Sequence, residues 1–256
     1  MPALPFRLSA LPLLISLALP VHANTAREQV QERQAAAVLS VEAQRLGKLH
    51  LQQQLTLSSS PALIQESRQR VQEALSRIGR SQEGNKRLER LRNQGDALMQ
   101  RPLGQAASLP ETQDLAESLS LSASQLLARL EPSVDQPAAR LINDVARLNM
   151  LLQRTTRLTL QAAAGDRSVG RQVDIEQARK EFALTLGQLE KNPELTPGMR
   201  EAVMLARQQW LFFDNALGRI DDPRAQRNLA SSSERIYQML DSIQTDALRD
   251  VLKTLR

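Results

Sequence analysis

The chain has 256 residues, of which 41% are hydrophobic, 24% charged and only 2% aromatic, and a net charge of +5. No cysteine and only two histidines are present, which excludes disulfides, thiolate metal sites, cysteine nucleophiles and histidine-rich metal centres. Ala, Leu, Gln, Arg and Glu dominate while β-formers are scarce, so the composition predicts an all-α protein of one or two domains.

The N-terminus reads as an export signal. Arg7 is the only charge before Arg27, an apolar run extends from Leu8 to Pro20, and Val21 and Ala23 occupy the −3 and −1 positions of a small-residue cleavage site. The run is shorter than the ~20 residues that span a bilayer, and Pro12 interrupts it. Residues 1–23 are therefore expected to be a signal peptide cleaved after Ala23, delivering the protein to the periplasm. Cleavage removes Arg7 and His22, leaving His50 as the only histidine and a net charge of +4. Acidic and basic residues alternate through the rest of the chain, with no basic stretch interleaved with aromatics, so nucleic acid is not an expected partner.

The prolines after the signal partition the chain. Pro61, Pro102, Pro110, Pro132, Pro137, Pro193, Pro197 and Pro223 all fall where a helix should start or stop. Ser60, Thr196 and Asp222 each precede a proline as helix N-caps. The segments between predict helices over about 25–57, 61–81, 84–100, 111–131, 137–164, 172–191, 197–217 and 223–254. Ile175, Ala178, Phe182, Leu186 and Leu189 recur at three- and four-residue steps, as do Met199, Val203, Ala206, Trp210, Phe213 and Leu217. Each series buries one stripe and implies bundle packing. The expected architecture is two tandem antiparallel four-helix bundles, over 24–132 and 133–256, meeting near Pro132–Pro137.

The halves also align with one another. Gln44-Arg45-Leu46-Gly47-Lys48-Leu49-His50-Leu51 lies over Gln153-Arg154-Thr155-Thr156-Arg157-Leu158-Thr159-Leu160 at an offset of 109. Ile64, Ser67, Val71, Leu75 and Ile78 lie over Ile175, Ala178, Phe182, Leu186 and Leu189 at 111; Leu91 and Leu98 over Trp210 and Leu217 at 119; Leu115-Ala116 over Leu229-Ala230 at 114. All the aromatics beyond the signal (Phe182, Trp210, Phe212, Phe213 and Tyr237) are in the second half. That half should form the stiffer core, with Trp210, Phe212 and Phe213 inside it.

Ile142-Asn143-Asp144-Val145-Ala146-Arg147-Leu148-Asn149-Met150-Leu151-Leu152-Gln153-Arg154 resembles the INxxGRQRMLSQR signature of the PilJ-type domain. This is the N-terminal sensor domain of type IV pili methyl-accepting chemotaxis transducers, related to the periplasmic domain of nitrate/nitrite sensor kinases. Ala146 stands where the signature has glycine. The later segment FALTLGQLEKNPELTPGMREAVMLARQQWLFFDNAL is similar to the family's second and third helices, and QRLGKL is a faint echo in the first half. The resemblance implies an antiparallel four-helix bundle that binds a small molecule and signals through attached modules. No transmembrane helix, kinase or methyl-accepting coiled coil is recognisable in this chain, so a separate membrane-bound signalling partner is implied. In the nitrate sensors a motif arginine holds the anion at the position of Asn149, which brings no positive charge to that contact.

On a helical wheel Asn143, Arg147, Met150, Arg154 and Gln161 fall on one arc with Arg157 beside them, opposite Leu141, Val145, Leu148 and Leu152. With Asn149 added for its place in the signature, the resemblance implies Asn143, Arg147, Asn149 and Arg154 as candidate ligand-binding residues, donors to a small molecule or anion. The competing reading is a solvated helix face. Arg147 and Arg154 are seven residues apart, about 10 Å along the axis, so one small anion cannot meet both. A longer ligand, or a second copy of the helix in a homodimer, would be needed. His50, without a second histidine or carboxylate partner, is expected exposed or half-buried. Ser58-Ser59-Ser60 and Ser231-Ser232-Ser233 do not resemble a nucleophile elbow, and no glycine-rich phosphate loop is present. The sequence predicts no catalytic residue, metal or cofactor. A structural or scaffolding protein of the envelope is the alternative to a sensor-like binding domain.

Overall fold

A computed structural model describes residues 19–57, 60–78, 85–102, 109–130 and 137–255, with the side chains of residues 19–25 and 137–138 excepted. Most of the expected signal peptide, residues 1–18, lies outside the described residues, as does the expected boundary over 132–136. Among the described residues there are eight helices and no strand: α1 (Leu19–Gln54), α2 (Pro61–Arg77), α3 (Lys86–Met99), α4 (Leu109–Arg129), α5 (Pro137–Ala163), α6 (Val169–Leu189), α7 (Pro197–Leu217) and α8 (Pro223–Thr254). The protein is all-α. No described helix is long and apolar enough to cross a membrane.

The start signals act through the chemistry that identifies them. Ser60 accepts from the amide of Ala62 (3.2 Å), Thr196 from Met199 (3.3 Å) and Asp222 from Arg224 (2.8 Å), each with proline in the first turn behind it. These contacts satisfy amides that have no intrahelical partner. Asn85 and Ser168 cap α3 and α6 in the same way. After α5 the chain reverses at Gly165, whose φ of 117° is one that side-chain-bearing residues rarely adopt.

Helix α1 packs on α2 and α4, and α3 on α4 and α2; α5 packs on α6 and α8, and α7 on α8. One apolar core joins residues of α1–α4, among them Leu39, Leu46, Ile64, Val71, Leu91, Leu98 and Leu119. A second draws mainly on α5–α8 and includes Phe182, Trp210, Phe213 and Tyr237, together with Val30 and Val41 of α1. Trp210 stacks between Phe182 and Phe213, at ring separations of 4.1 and 5.1 Å. Phe212 is not in the core: it is 66% exposed and shares a surface stripe of α7 with Met204, Leu205 and Leu211. Its neighbours Trp210 and Phe213 take the inward positions of that turn, which leaves Phe212 on the outer face.

Burial refines the alignment of the two halves. On α4 and α8 the buried positions coincide as Thr112/Leu229, Gln113/Ala230, Ala116/Ser233, Leu119/Ile236, Ser120/Tyr237 and Ala123/Leu240, a register of 117 rather than 114. On α3 and α7 they coincide as Leu88/Val203, Leu91/Ala206, Gly95/Trp210 and Leu98/Phe213, at 115 rather than 119. A two-residue identity cannot fix a helical register, whereas six inward positions can. Where α7 carries Trp210, α3 carries Gly95. Leu75 fills that space so closely that a Cβ on Gly95 would lie 2.6 Å from its Cδ1.

Candidate functional site at the α1–α5 seam

The two cores meet where α1 packs on α5. Both helices run antiparallel to α4. On α1, Ser40 bonds Ser120 while Gly47 accepts from Gln113; on α5, Arg154 bonds Glu117 while Arg157 bonds Gln113. Helices α1 and α5 are therefore parallel, and the matching QRxx(K/R)LxL segments lie side by side. Every residue from Leu39 to Gln52 is buried, although Glu42, Gln44, Arg45, Lys48, His50 and Gln52 are among them. Gly47 leaves room for α4 and α5 on this face, since a Cβ there would lie 2.8 Å from both Ala116 Cβ and Arg157 Cδ.

On one side of the seam a buried ion cluster ties α1 to α8 and α2. Arg45 donates to both oxygens of Glu234 from Nε (3.3 and 3.2 Å) and to one from Nη2 (2.7 Å), while Lys48 donates to Glu234 and to Ser233 (3.1 Å). Glu42 accepts from Ser67 (2.6 Å), Tyr237 (2.5 Å) and Arg70 (3.0 Å). Arg70 also forks onto Asp241 at 2.9 and 2.5 Å. Burial alone would raise the Glu234 carboxyl, but Lys48 and Arg45 override it and bring it down to about 2. Burial pulls the Lys48 ammonium below its ordinary value, against the opposing pull of Glu234. It also drives the Tyr237 phenol well above its usual range, with Glu42 adding to the effect.

The other side repeats the arrangement. Arg154 and Arg157, the counterparts of Arg45 and Lys48, both donate to Glu117, the counterpart of Glu234. Arg157 is 2% exposed and spends its remaining donors on side-chain oxygens of Gln44 (2.7 Å), Gln113 (3.2 Å) and Gln161 (3.5 Å). Burial lowers its guanidinium to about 10 against the opposing charge of Glu117, which leaves it protonated at neutral pH. Burial would raise Glu117, but Arg157, Gln44 and Arg154 hold it below the usual carboxylate range. Buried charges persist only when paired in this way.

The four predicted ligand-binding residues are distributed over different surroundings. The Arg147 side chain is 61% exposed and pairs with Glu181 of α6. Asn143 is half-buried. Arg154, 26% exposed, faces α4 through Glu117. Asn149 is 1% exposed, and neither its amide nitrogen nor its oxygen has a partner in the protein. Gln153, one turn on and fully buried, has both amide atoms unpartnered as well. These two residues precede Arg157 by eight and four positions, on the α5 stripe from which Arg157 reaches Gln44 of α1. The described surface grooves are lined by other residues. No group of three metal-ligating side chains is found among the described residues.

Sequence reasoning missed Gln153 as a candidate, and missed Arg45, Lys48 and Glu234 as a cluster. Their signal was the QRxx(K/R)LxL match, which carries polar residues in both copies. His50 is buried at 4% exposure rather than half-open, and its imidazole is lowered to about 4 by burial and by Arg68. Compared with family models, curated proteins and solved structures, the chain matches none of them.

Proposed function

We propose that this chain is an exported, non-enzymatic, sensor-like module. In this reading two four-helix units stand in tandem, joined through α1 and α5, and a small polar molecule is taken up at that seam and reported to a separate membrane-bound partner. The observation that carries it is the pair Asn149 and Gln153. Four buried amide atoms without partners are costly, at about 1–3 kcal/mol each, in a seam where the neighbouring charges are satisfied. Native proteins leave such groups unpaired rarely, and a bound molecule or water is the usual resolution. The likeness of residues 142–154 to the PilJ-type signature supports the same segment, and the apolar run before Ala23 supports export to the periplasm. The parallel seam supplies within one chain the second copy of the helix that a homodimer would otherwise have to provide.

A scaffolding role in the envelope is the second reading. It is favoured by the solvated Arg147–Glu181 pair and by the exposed apolar stripe of α7, which suit contacts with other proteins. A thermal-shift screen of small oxyanions and neutral metabolites separates the two, because a molecule that binds only the native state raises Tm with its concentration. The sensor reading predicts at least one such ligand, with the shift lost in the double variant Asn149→Leu/Gln153→Leu. A screen in which none raises Tm would leave the scaffold.

A further inference from the structure

The unpartnered atoms also specify what kind of molecule the seam accepts, provided the reading above holds that it accepts one. Whichever way each amide is turned, Asn149 and Gln153 together present two NH2 groups that donate and two carbonyl oxygens that accept. An oxyanion such as nitrate has acceptors only. It could meet the two NH2 groups but would leave both carbonyl oxygens unpaired, with their lone pairs directed at a negative charge. The four cations described where α1 meets α5 are already paired with carboxylates. Arg45 and Lys48 are bonded to Glu234, and Arg154 and Arg157 to Glu117. An anion entering here would shed its hydration for a locally neutralised surrounding, which is unfavourable.

A neutral molecule carrying both donors and acceptors meets all four atoms. The two side chains leave α5 one turn apart, about 6 Å along the axis. Water molecules in series, or a small primary amide or urea-like solute, can bridge such a separation and complete both hydrogen-bonding sets. We propose that the α1–α5 seam at Asn149 and Gln153 is a site for a neutral donor–acceptor molecule, water or a small amide-type solute, and that it discriminates against anions.

Side-chain amide NMR on the full, 15N-labelled chain tests this, with the Asn149 and Gln153 NH2 signals assigned from Asn149→Leu and Gln153→Leu. Three arms use the protein without solute, with acetamide at sub-denaturing concentration, and with sodium nitrate against an equal concentration of sodium chloride. The proposal predicts amide-to-water cross-peaks without solute or a saturable shift with acetamide, and no nitrate response beyond that of chloride. Water contact without an acetamide response identifies solvent as the occupant; it upholds the neutral class and overturns the small-molecule reading. A saturable nitrate response overturns the neutral class and leaves a ligand site at the seam. Signals that neither contact water nor respond to any solute overturn both.

Discussion

Replacing Glu234 by glutamine keeps the side chain's shape and removes the charge that two buried cations share. Arg45 would retain Glu42 at 3.5 Å and the half-exposed Glu66 at 3.1 Å. Lys48, itself fully buried, would retain Ser233. Breaking a buried pair from one side costs about 3–5 kcal/mol. The Lys48 share of this has a ceiling, because the lysine can fold neutral instead of charged. From an unfolded pKa of about 10.4, discharging a lysine at pH 7 costs about 5 kcal/mol. The two routes agree, so Glu234→Gln is expected to lose about 3–5 kcal/mol at pH 7. The pH dependence identifies the cause. A lysine whose folded pKa is depressed destabilises below its unfolded pKa, and the penalty fades as pH rises towards that value. At pH 9.5 the Lys48 ceiling falls to about 1 kcal/mol, and with the smaller cost at Arg45, which keeps Glu42 and Glu66, the loss should shrink to about 1–2 kcal/mol. Urea unfolding of wild type and variant at both pH values measures it. A loss below about 1 kcal/mol at pH 7, or one that does not change with pH, would refute the view that Lys48 and Arg45 depend on Glu234.

The same carboxylate predicts acid sensitivity. With its folded pKa lowered to about 2, Glu234 contributes stability that is present above the ordinary carboxylate range and is lost as pH falls from about 4.5 to 2. That contribution is about 3 kcal/mol, and the stability gap between wild type and Glu234→Gln should narrow across this window in urea unfolding. Trp210→Ala should cost about 3–5 kcal/mol, because it removes the ring stacked between Phe182 and Phe213; chemical denaturation monitored by circular dichroism reads this. Gly47→Ala should cost about 1–3 kcal/mol by forcing α1 from Ala116 and Arg157. Gly187→Ala, within a helix and where an added Cβ would meet Arg207 Nη2 at an ordinary 3.6 Å, should instead gain about 0.5–1 kcal/mol; thermal unfolding compares the pair. Mass spectrometry of the envelope fraction should find the chain beginning at Asn24, and an intact Met1 would contradict export with cleavage.

The helices were legible because their punctuation is local. Proline in the first turn and a capping side chain before it act within four residues, so α7 and α8 fall where the sequence puts them. The inward stripes were legible for the same reason, and Phe182, Trp210 and Phe213 are buried. The seam was not. Periodicity identifies the face a helix turns to its own bundle, but it cannot tell whether water or another helix covers the opposite face. On α5 the polar arc divides: Arg147 faces solvent, whereas Arg157, ten residues on, is buried under α1 and α4. On α1 the run from Leu39 to Gln52 is buried all round despite its charges, because α2, α4, α5 and α8 supply partners from distant parts of the chain. His50 was misplaced for that reason. Only the repeat of QRxx(K/R)LxL hinted that two polar helix faces meet each other.

A crystal structure of the protein, at a resolution that reveals ordered water, would show directly what surrounds Asn149 and Gln153. Helices α1 and α5 should lie side by side and parallel, with density for a neutral occupant within hydrogen-bond distance of these amides; a small solute there upholds uptake at the seam, and water alone upholds only the neutral class. Amides bonded instead to each other or to protein groups, with no density between them, would contradict both.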